Sequence, residues 1–246
     1  MEISLLTDVG QKRTNNQDYA NLFVNRAGKT LIILADGMGG HRAGNIASEM
    51  AVTDLGAAWV DTQIDSVNHV REWFAEHLEE ENQRIHQFGQ DEEYKGMGTT
   101  LEALAIIDNQ AIYAHIGDSR IGLIRGDEYR QLTNDHSLVN ALLKAGQITP
   151  EEAERHPQKN IITQSIGQKD EVQPDYGMIT LEDGDYLLLN SDGLTNMISD
   201  SEICDIVTSD ISLSEKTQTL IRFANNAGGL DNITVALVRF DKEDKA

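Results

Sequence analysis

LEALAIIDNQAIYAHIGDSRIGLI, residues 101–124, sets three apolar runs of strand length in a row, separated by Asp108-Asn109 and by a short segment around Asp118. Runs bounded in this way by Gly, Asn and Asp read as strands, and Asp118 is placed at the tip of a hairpin between two of them. Further runs lie at 3–6, 31–35, 186–189 and 233–240. LIILAD at 31–36 and YLLLN at 186–190 are apolar at consecutive positions, which suits a sheet covered on both faces. Helical spacing appears between 43 and 88. Ala47, Met50, Ala51, Leu55 and Ala58 recur at three or four residues, as do Val67, Val70, Phe74, Leu78 and Ile85, so two long amphipathic helices are expected. Thr149, Ser199 and Ser212 each stand three residues before a Glu, the capping-box pattern of a helix start. The last of these helices should stop at Gly228-Gly229. Strict β-α-β alternation is absent. Clustered strands and clustered helices favour an α+β sandwich, with antiparallel sheets inside and helices outside.

The chain has 246 residues, 41 Asp+Glu and 20 Lys+Arg, a formal charge of −21. Such an acid surplus repels both nucleic acid and anionic membrane, so neither is an expected partner. Apolar and charged fractions are ordinary for a globular chain. With three prolines and no linker-like run, one domain over 1–240 is expected, followed by the charged tail DKEDKA at 241–246. A single cysteine, Cys204, excludes an intrachain disulfide and any multi-cysteine metal site. The N-terminus resembles no secretory signal, and no apolar run approaches the ~20 residues of a membrane span. A soluble cytoplasmic protein is expected, with a monomer as the default.

Acids end several of the strands. Asp36-Gly37 follows LIILA, and Asp192-Gly193 follows YLLLNS. Taken singly, Asp-Gly after a strand is a turn. Asp231, however, opens the final strand. If that strand runs antiparallel to those ending at Asp36 and Asp192, the three acids share one sheet edge. Two carboxylates ~4 Å apart at an effective dielectric of ~20 repel by roughly 4 kcal/mol, so the cluster demands protons or a cation. Oxygen-only donors select Mg²⁺ or Mn²⁺. A pair of such ions supports hydrolysis at phosphorus, and Arg13, shortly before Asp18, is a candidate phosphate-binding guanidinium.

RTNNQD at 13–18, ADGMGGHRAG at 35–44, GMGTT at 96–100, GDSR at 117–120, ITQSIG at 162–167, SDGL at 191–194 and DNIT at 231–234 span nearly the whole chain. Together they resemble the metal-dependent type 2C protein phosphatases, in particular the compact bacterial serine/threonine phosphatases. That resemblance implies a four-layer α-β-β-α sandwich of two mainly antiparallel sheets flanked by helices. It also implies hydrolysis of phosphoserine and phosphothreonine by a water that bridges two Mn²⁺ or Mg²⁺ ions. Carried over by residue, it makes Asp36 the bridge between the ions, gives Asp192 and Asp231 to the first and the Gly37 carbonyl to the second, and puts Asp18 just outside them. A third ion falls to Asp118 with help from Asp192, and the substrate phosphate to Arg13. Animal relatives often carry a His after this first Asp-Gly, where this chain has Met38. His41 is a candidate proton donor to the leaving group in its place, and a metal-bound water is the alternative.

Three rivals are weighed. A cysteine-nucleophile phosphatase needs Cys and Arg in one short loop, yet Cys204 is followed by DIVTSD. A catalytically dead phosphoprotein-binding relative has no reason to keep a repulsive acid cluster. A hydrolase of nucleotides or small esters lacks a phosphate-cradling strand–loop–helix. His69, His77, His86 and His115 read as core or solvated residues, and Cys204 as a buried small hydrophobe. Residues 137–165, flanked by His136, resemble a flap near the catalytic edge and are a candidate for substrate choice. The expected partners are phosphoserine and phosphothreonine proteins in signalling, together with a cognate serine/threonine kinase.

Overall fold

The computed structural model describes residues 1–39 and 43–242, the side chain of Glu154 excepted. His41 and residues 243–246 of the charged tail therefore lie outside the described residues. Two antiparallel sheets stack face to face. The first takes β1 (Glu2–Asp8), β7 (Arg120–Arg125), β8 (Glu128–Gln131), β10 (Tyr186–Asn190) and β11 (Ile233–Arg239) in the order β1-β11-β10-β7-β8. The second takes β2 (Asp18–Val24), β3 (Thr30–Met38), β5 (Leu101–Ile107), β6 (Gln110–Ile116) and β9 (Asp175–Thr180) in the order β2-β3-β5-β6-β9, with the short β4 (Gly98–Thr99) paired to the end of β3.

The consecutively apolar strands are explained by their two coats. Alternate residues of β3, Ile32 and Leu34, join Leu187, Leu189, Ala236 and Val238 of the facing sheet in the central core. Their neighbours Leu31, Ile33 and Ala35 point the other way, against α1 (Ala43–Val60) and α2 (Val67–Phe88). Likewise Leu188, Val235 and Leu237 back onto α5 (Asp192–Thr195), α6 (Asp200–Thr208) and α7 (Leu213–Asn226). The layers therefore run α-β-β-α, as the resemblance implies.

The expected helix starts are present. Thr149 caps α4 (Pro150–Glu154), Ser199 caps α6 and Ser212 caps α7, each closing a capping box with its Glu. Helix α3 (Leu138–Lys144) lies between β8 and α4, and α7 stops two residues before Gly228.

The hairpin placed at Asp118 is not one. Strands β6 and β7 belong to different sheets, so Gly117-Asp118-Ser119 carries the chain from one sheet to the other. Gly117 allows this with a φ of +113°, and a Cβ there would lie 2.5 Å from the Thr100 side chain.

Candidate active site

Asp36 and Asp192 are not turn residues. Asp36 lies inside β3, which passes at this point from pairing with β5 to pairing with β4. Its carbonyl accepts hydrogen bonds from the Thr100 amide and the Thr99 hydroxyl, both at 2.9 Å, and its amide donates to Thr100 Oγ1 at 2.9 Å. Asp192 is the first residue of α5, behind the N-cap Ser191. The glycines that follow these acids serve close backbone approach. A Cβ on Gly37 would lie 2.0 Å from the Gly44 carbonyl oxygen, and one on Gly193 would lie 1.9 Å from that of Asn232.

The convergence of acids occurs, but not at one sheet edge. Strands β10 and β11 are antiparallel neighbours, as expected, so Asp192 and Asp231 share an edge of the first sheet. Asp36 belongs to the second sheet. The acids therefore meet across the sandwich, because stacking two doubly coated sheets brings the ends of β3 and β10 to one end of the molecule.

Asp18 ties that end together. It sits opposite Asp36 in the β2–β3 register. Its Oδ2 accepts from Ser191 Oγ and Thr234 Oγ1, each at 2.7 Å, so one buried carboxylate spans both sheets. Its Oδ1 is buried and without a hydrogen-bond partner, as is Oδ1 of Asp192.

The electrostatics show five acids acting on one another. Burial raises Asp36 well above the usual carboxylate range, and Asp18, Asp192, Asp118 and Asp231 all push it further. Burial lifts Asp18 to about 7 against the pull of its two hydroxyl partners, with Asp192 and Asp231 adding to the rise. Asp118 rises to about 7 through burial, Asp192 and Asp135. Asp192 rises to about 6 through burial and Asp231, with Arg13 and Arg120 opposing.

Arg13 reaches this rim from the N-terminal loop. Its Nη2 donates to Asp231 Oδ2 at 2.7 Å, with the two side chains 49% and 35% exposed. The other oxygen of Asp231 accepts from the Asn232 amide at 2.9 Å. Asn232 also fixes the loop, since its Nδ2 donates to the carbonyls of Val9 and Asn15, both at 2.9 Å.

A groove of about 690 Å³ opens from Asp118 and Asp192 and runs under α3 and α4 past Arg120, Asn134, Asp135 and Lys159. Its floor is held by Arg120, which grips Asp135 with two hydrogen bonds of 3.0 and 2.7 Å.

These residues fit divalent ions. Among the described residues no three acids, histidines or cysteines already close round one point as a metal cage. Instead, carboxylates from both sheets raise one another's pKa, and two buried oxygens lack a proton donor. Hard ions that keep several waters and take one or two carboxylates each suit such an open rim.

The histidines read as core or surface stay apart from the rim. His77 stacks on Trp73, His86 meets the Gly167 carbonyl, and His115 pairs with Glu102 in the interior. Cys204 is buried against the α6–α7 core. Sequence reasoning did not single out Thr100, Ser191, Asn232 or Thr234. Each lies inside or beside a quoted motif, and that position was the available signal.

The model of the protein phosphatase 2C family matches residues 9–235. The protein phosphatase PhpP of Streptococcus pneumoniae strain D39 is 84% identical over 99% of both chains. The serine/threonine phosphatase stp of Listeria monocytogenes strain EGD-e is 42% identical over 100% of this chain and 98% of that one. Among solved structures, the S. agalactiae serine/threonine phosphatase superposes with a TM-score of 0.95 at 61% identity, covering 96% of this chain and 98% of that one. The chain belongs to the protein phosphatase 2C family, whose members are metal-dependent.

Proposed function

We propose that the acidic end of the sandwich is the catalytic centre through which this chain, a serine/threonine protein phosphatase, hydrolyses phosphoserine and phosphothreonine with Mn²⁺ or Mg²⁺. The observation that carries the reading is the repulsion that Asp18, Asp118, Asp192 and Asp231 exert on Asp36, with Asp118 and Asp192 lining a groove and Arg13 paired to Asp231.

Asp36 lies centrally enough to feel all four other acids and is assigned to bridge two ions. Asp192 and Asp231 would hold the first ion, the Gly37 carbonyl the second, and Asp118, aided by Asp192, a third. When bound, such ions supply an acidified water and positive charge for the phosphoryl oxygens. The chain's own residues do the positioning. Asp18 keeps both sheets in register through Ser191 and Thr234. Arg13, on an exposed loop, exchanges Asp231 for two phosphoryl oxygens, which a guanidinium meets as a fork. The groove under α3 and α4 takes the residues flanking the phosphorylated side chain, so 137–165 acts as a substrate-facing flap. The leaving alkoxide takes its proton from water or from His41.

Among the described residues no helix is long and apolar enough to cross a membrane. Action in the cytoplasm as a monomer, on phosphoproteins that a serine/threonine kinase supplies, completes the proposal.

The test is hydrolysis of p-nitrophenyl phosphate with and without Mn²⁺, repeated with Asp192→Ala. Turnover is expected to need the ion and to fall by at least about a hundredfold in the variant, the scale on which a charge-stabilising catalytic group acts. Activity surviving chelator or the substitution would overturn the assignment. A phosphothreonine peptide should outcompete ATP as substrate, and the reverse preference would sink the protein-substrate reading.

A further inference from the structure

Gly117, the residue before Asp118, is held on three sides. Thr100 blocks one side, leaving no room for a Cβ. The His136 amide donates to the Gly117 carbonyl at 2.6 Å, and the Gly117 amide donates back to His136 Nδ1 at 3.2 Å. The same residue anchors the far side of the flap, because the Thr163 amide donates to the His136 carbonyl at 2.8 Å. Next to it, the Leu138 amide donates to the Ile161 carbonyl at 2.9 Å, so both roots of 137–165 are stitched at this point.

We propose that His136 is a positioning residue of the phosphatase, whose main chain and neutral imidazole together clamp Gly117 and thereby set both the crossover bearing Asp118 and the roots of the flap. The proposal rests on the reading of Asp118 and the groove given above.

The tautomer follows from the partners. Nδ1 accepts a hydrogen bond and so carries the lone pair, which leaves the proton on Nε2, 3.3 Å from Asp175 Oδ2. A second proton would set N–H against N–H and break the Gly117 contact. Burial and the neighbouring His115 oppose that proton and hold His136 below the usual histidine range, with Lys144 acting the same way and Asp175 opposing. His115 lies with its ring centroid 4.6 Å away. Its Nε2 meets the Asn134 carbonyl at 2.9 Å and its Nδ1 meets buried Glu102, so the loop leading from β8 into His136 is itself pinned.

The test compares His136→Asn with His136→Leu. An Asn carbonyl oxygen can occupy the place of Nδ1 and accept from Gly117, whereas Leu fills the volume without an acceptor. For His136→Leu, kcat/KM is expected to fall about tenfold, the worth of a hydrogen bond whose partner is left buried and unsatisfied. The loss should appear in kcat with p-nitrophenyl phosphate, and in both kcat and KM with a phosphothreonine peptide that fills the groove. His136→Asn should stay within about threefold of wild type. Amide exchange in the full chain supplies a readout independent of activity: peptides covering 114–120 and 134–138 should exchange faster in the Leu variant only. Equal losses in Asn and Leu, or unchanged exchange at Gly117 in Leu, would overturn the clamp. Should Leu unfold the chain, the Asn variant decides, since an Asn that fails to restore wild-type exchange at Gly117 defeats the proposal. Wild-type turnover with Mn²⁺ tests the parent reading separately, because a chain without it fails that reading while exchange at Gly117 still judges the clamp.

Discussion

At the scale of single residues, Asp-Gly after a strand is most simply a turn, and here both copies do something else. Gly37 and Gly193 are required because another backbone passes where a Cβ would stand, the carbonyl of Gly44 in one case and of Asn232 in the other. The acids were legible as chemistry because Asp36, Asp192 and Asp231 recur at strand ends. The carbonyl contacts were not, since nothing local in a sequence marks which distant main chain lies alongside. Gly193→Ala should therefore be costly although Ala is the mildest change available. Overpacking of this kind destabilises by about 1–3 kcal/mol. Because Asn232 carries the neighbouring Asp231, divalent-ion affinity should fall as well. Urea unfolding and a calorimetric Mn²⁺ titration check both parts, and a variant with the wild-type midpoint would show that α5 shifts freely.

At the scale of elements, the strands found in the sequence are the doubly coated ones together with β1, an edge strand whose apolar residues at 3–6 stand close together. Strands β2, β8 and β9 escaped because polar residues break up their apolar ones, and each lies at a sheet edge with exposed and half-buried positions beside the buried Asp18 of β2. DYANLFV offers neither a clean alternation nor an apolar run, so its pairing with β3 decides its state. Helices were easier, since their caps are local. Ser212→Ala removes the side-chain acceptor for the Glu215 amide at the start of α7 and should lower stability by about 1 kcal/mol. Because α7 lies behind the first sheet, kcat should not change, and a drop in kcat would place α7 in the catalytic machinery. Helix α2 carries a different liability. Burial, with Asp54 adding to it and Arg84 opposing, raises Glu81 to about 7. One carboxylate oxygen of Glu81 is buried without a partner. A carboxylate raised in the folded state stabilises while protonated, and loses that contribution as pH climbs through the folded value. Glu81→Gln should thus stabilise the chain at pH 8 by about 1–3 kcal/mol and change little at pH 5. Denaturation at the two pH values measures the difference, and an equal effect at both would show that Glu81 is not titrating.

At the scale of the molecule, the charge of −21 matters chiefly through where a few acids lie. A sequence shows which residues end strands but not which sheet each strand joins, so the convergence was expected at one edge and is found across two. That difference has a thermodynamic consequence. With Asp18 bridging the sheets and Asp36 facing Asp18, Asp192, Asp118 and Asp231, repulsion at this end acts directly on the stacking of the sandwich. Asp18 and Asp118 are raised to about 7 and Asp192 to about 6. Their protonated forms therefore favour the folded chain below about pH 4, and that support is lost as pH rises through 6 to 7. In chelator, stability should fall between pH 5 and pH 8 by about 2 kcal/mol in total, a figure that allows for coupling among the acids and for their partial exposure. Millimolar Mn²⁺ binds only the folded, ionised cluster, so it should raise the melting temperature most at pH 8 and flatten the slope. Asp36→Asn relieves the same repulsion without an ion, and in chelator at pH 8 it should melt above wild type while losing turnover. Calorimetry across that range, with and without Mn²⁺, decides the matter. Parallel pH slopes in the two conditions would mean that the ion does not neutralise these acids.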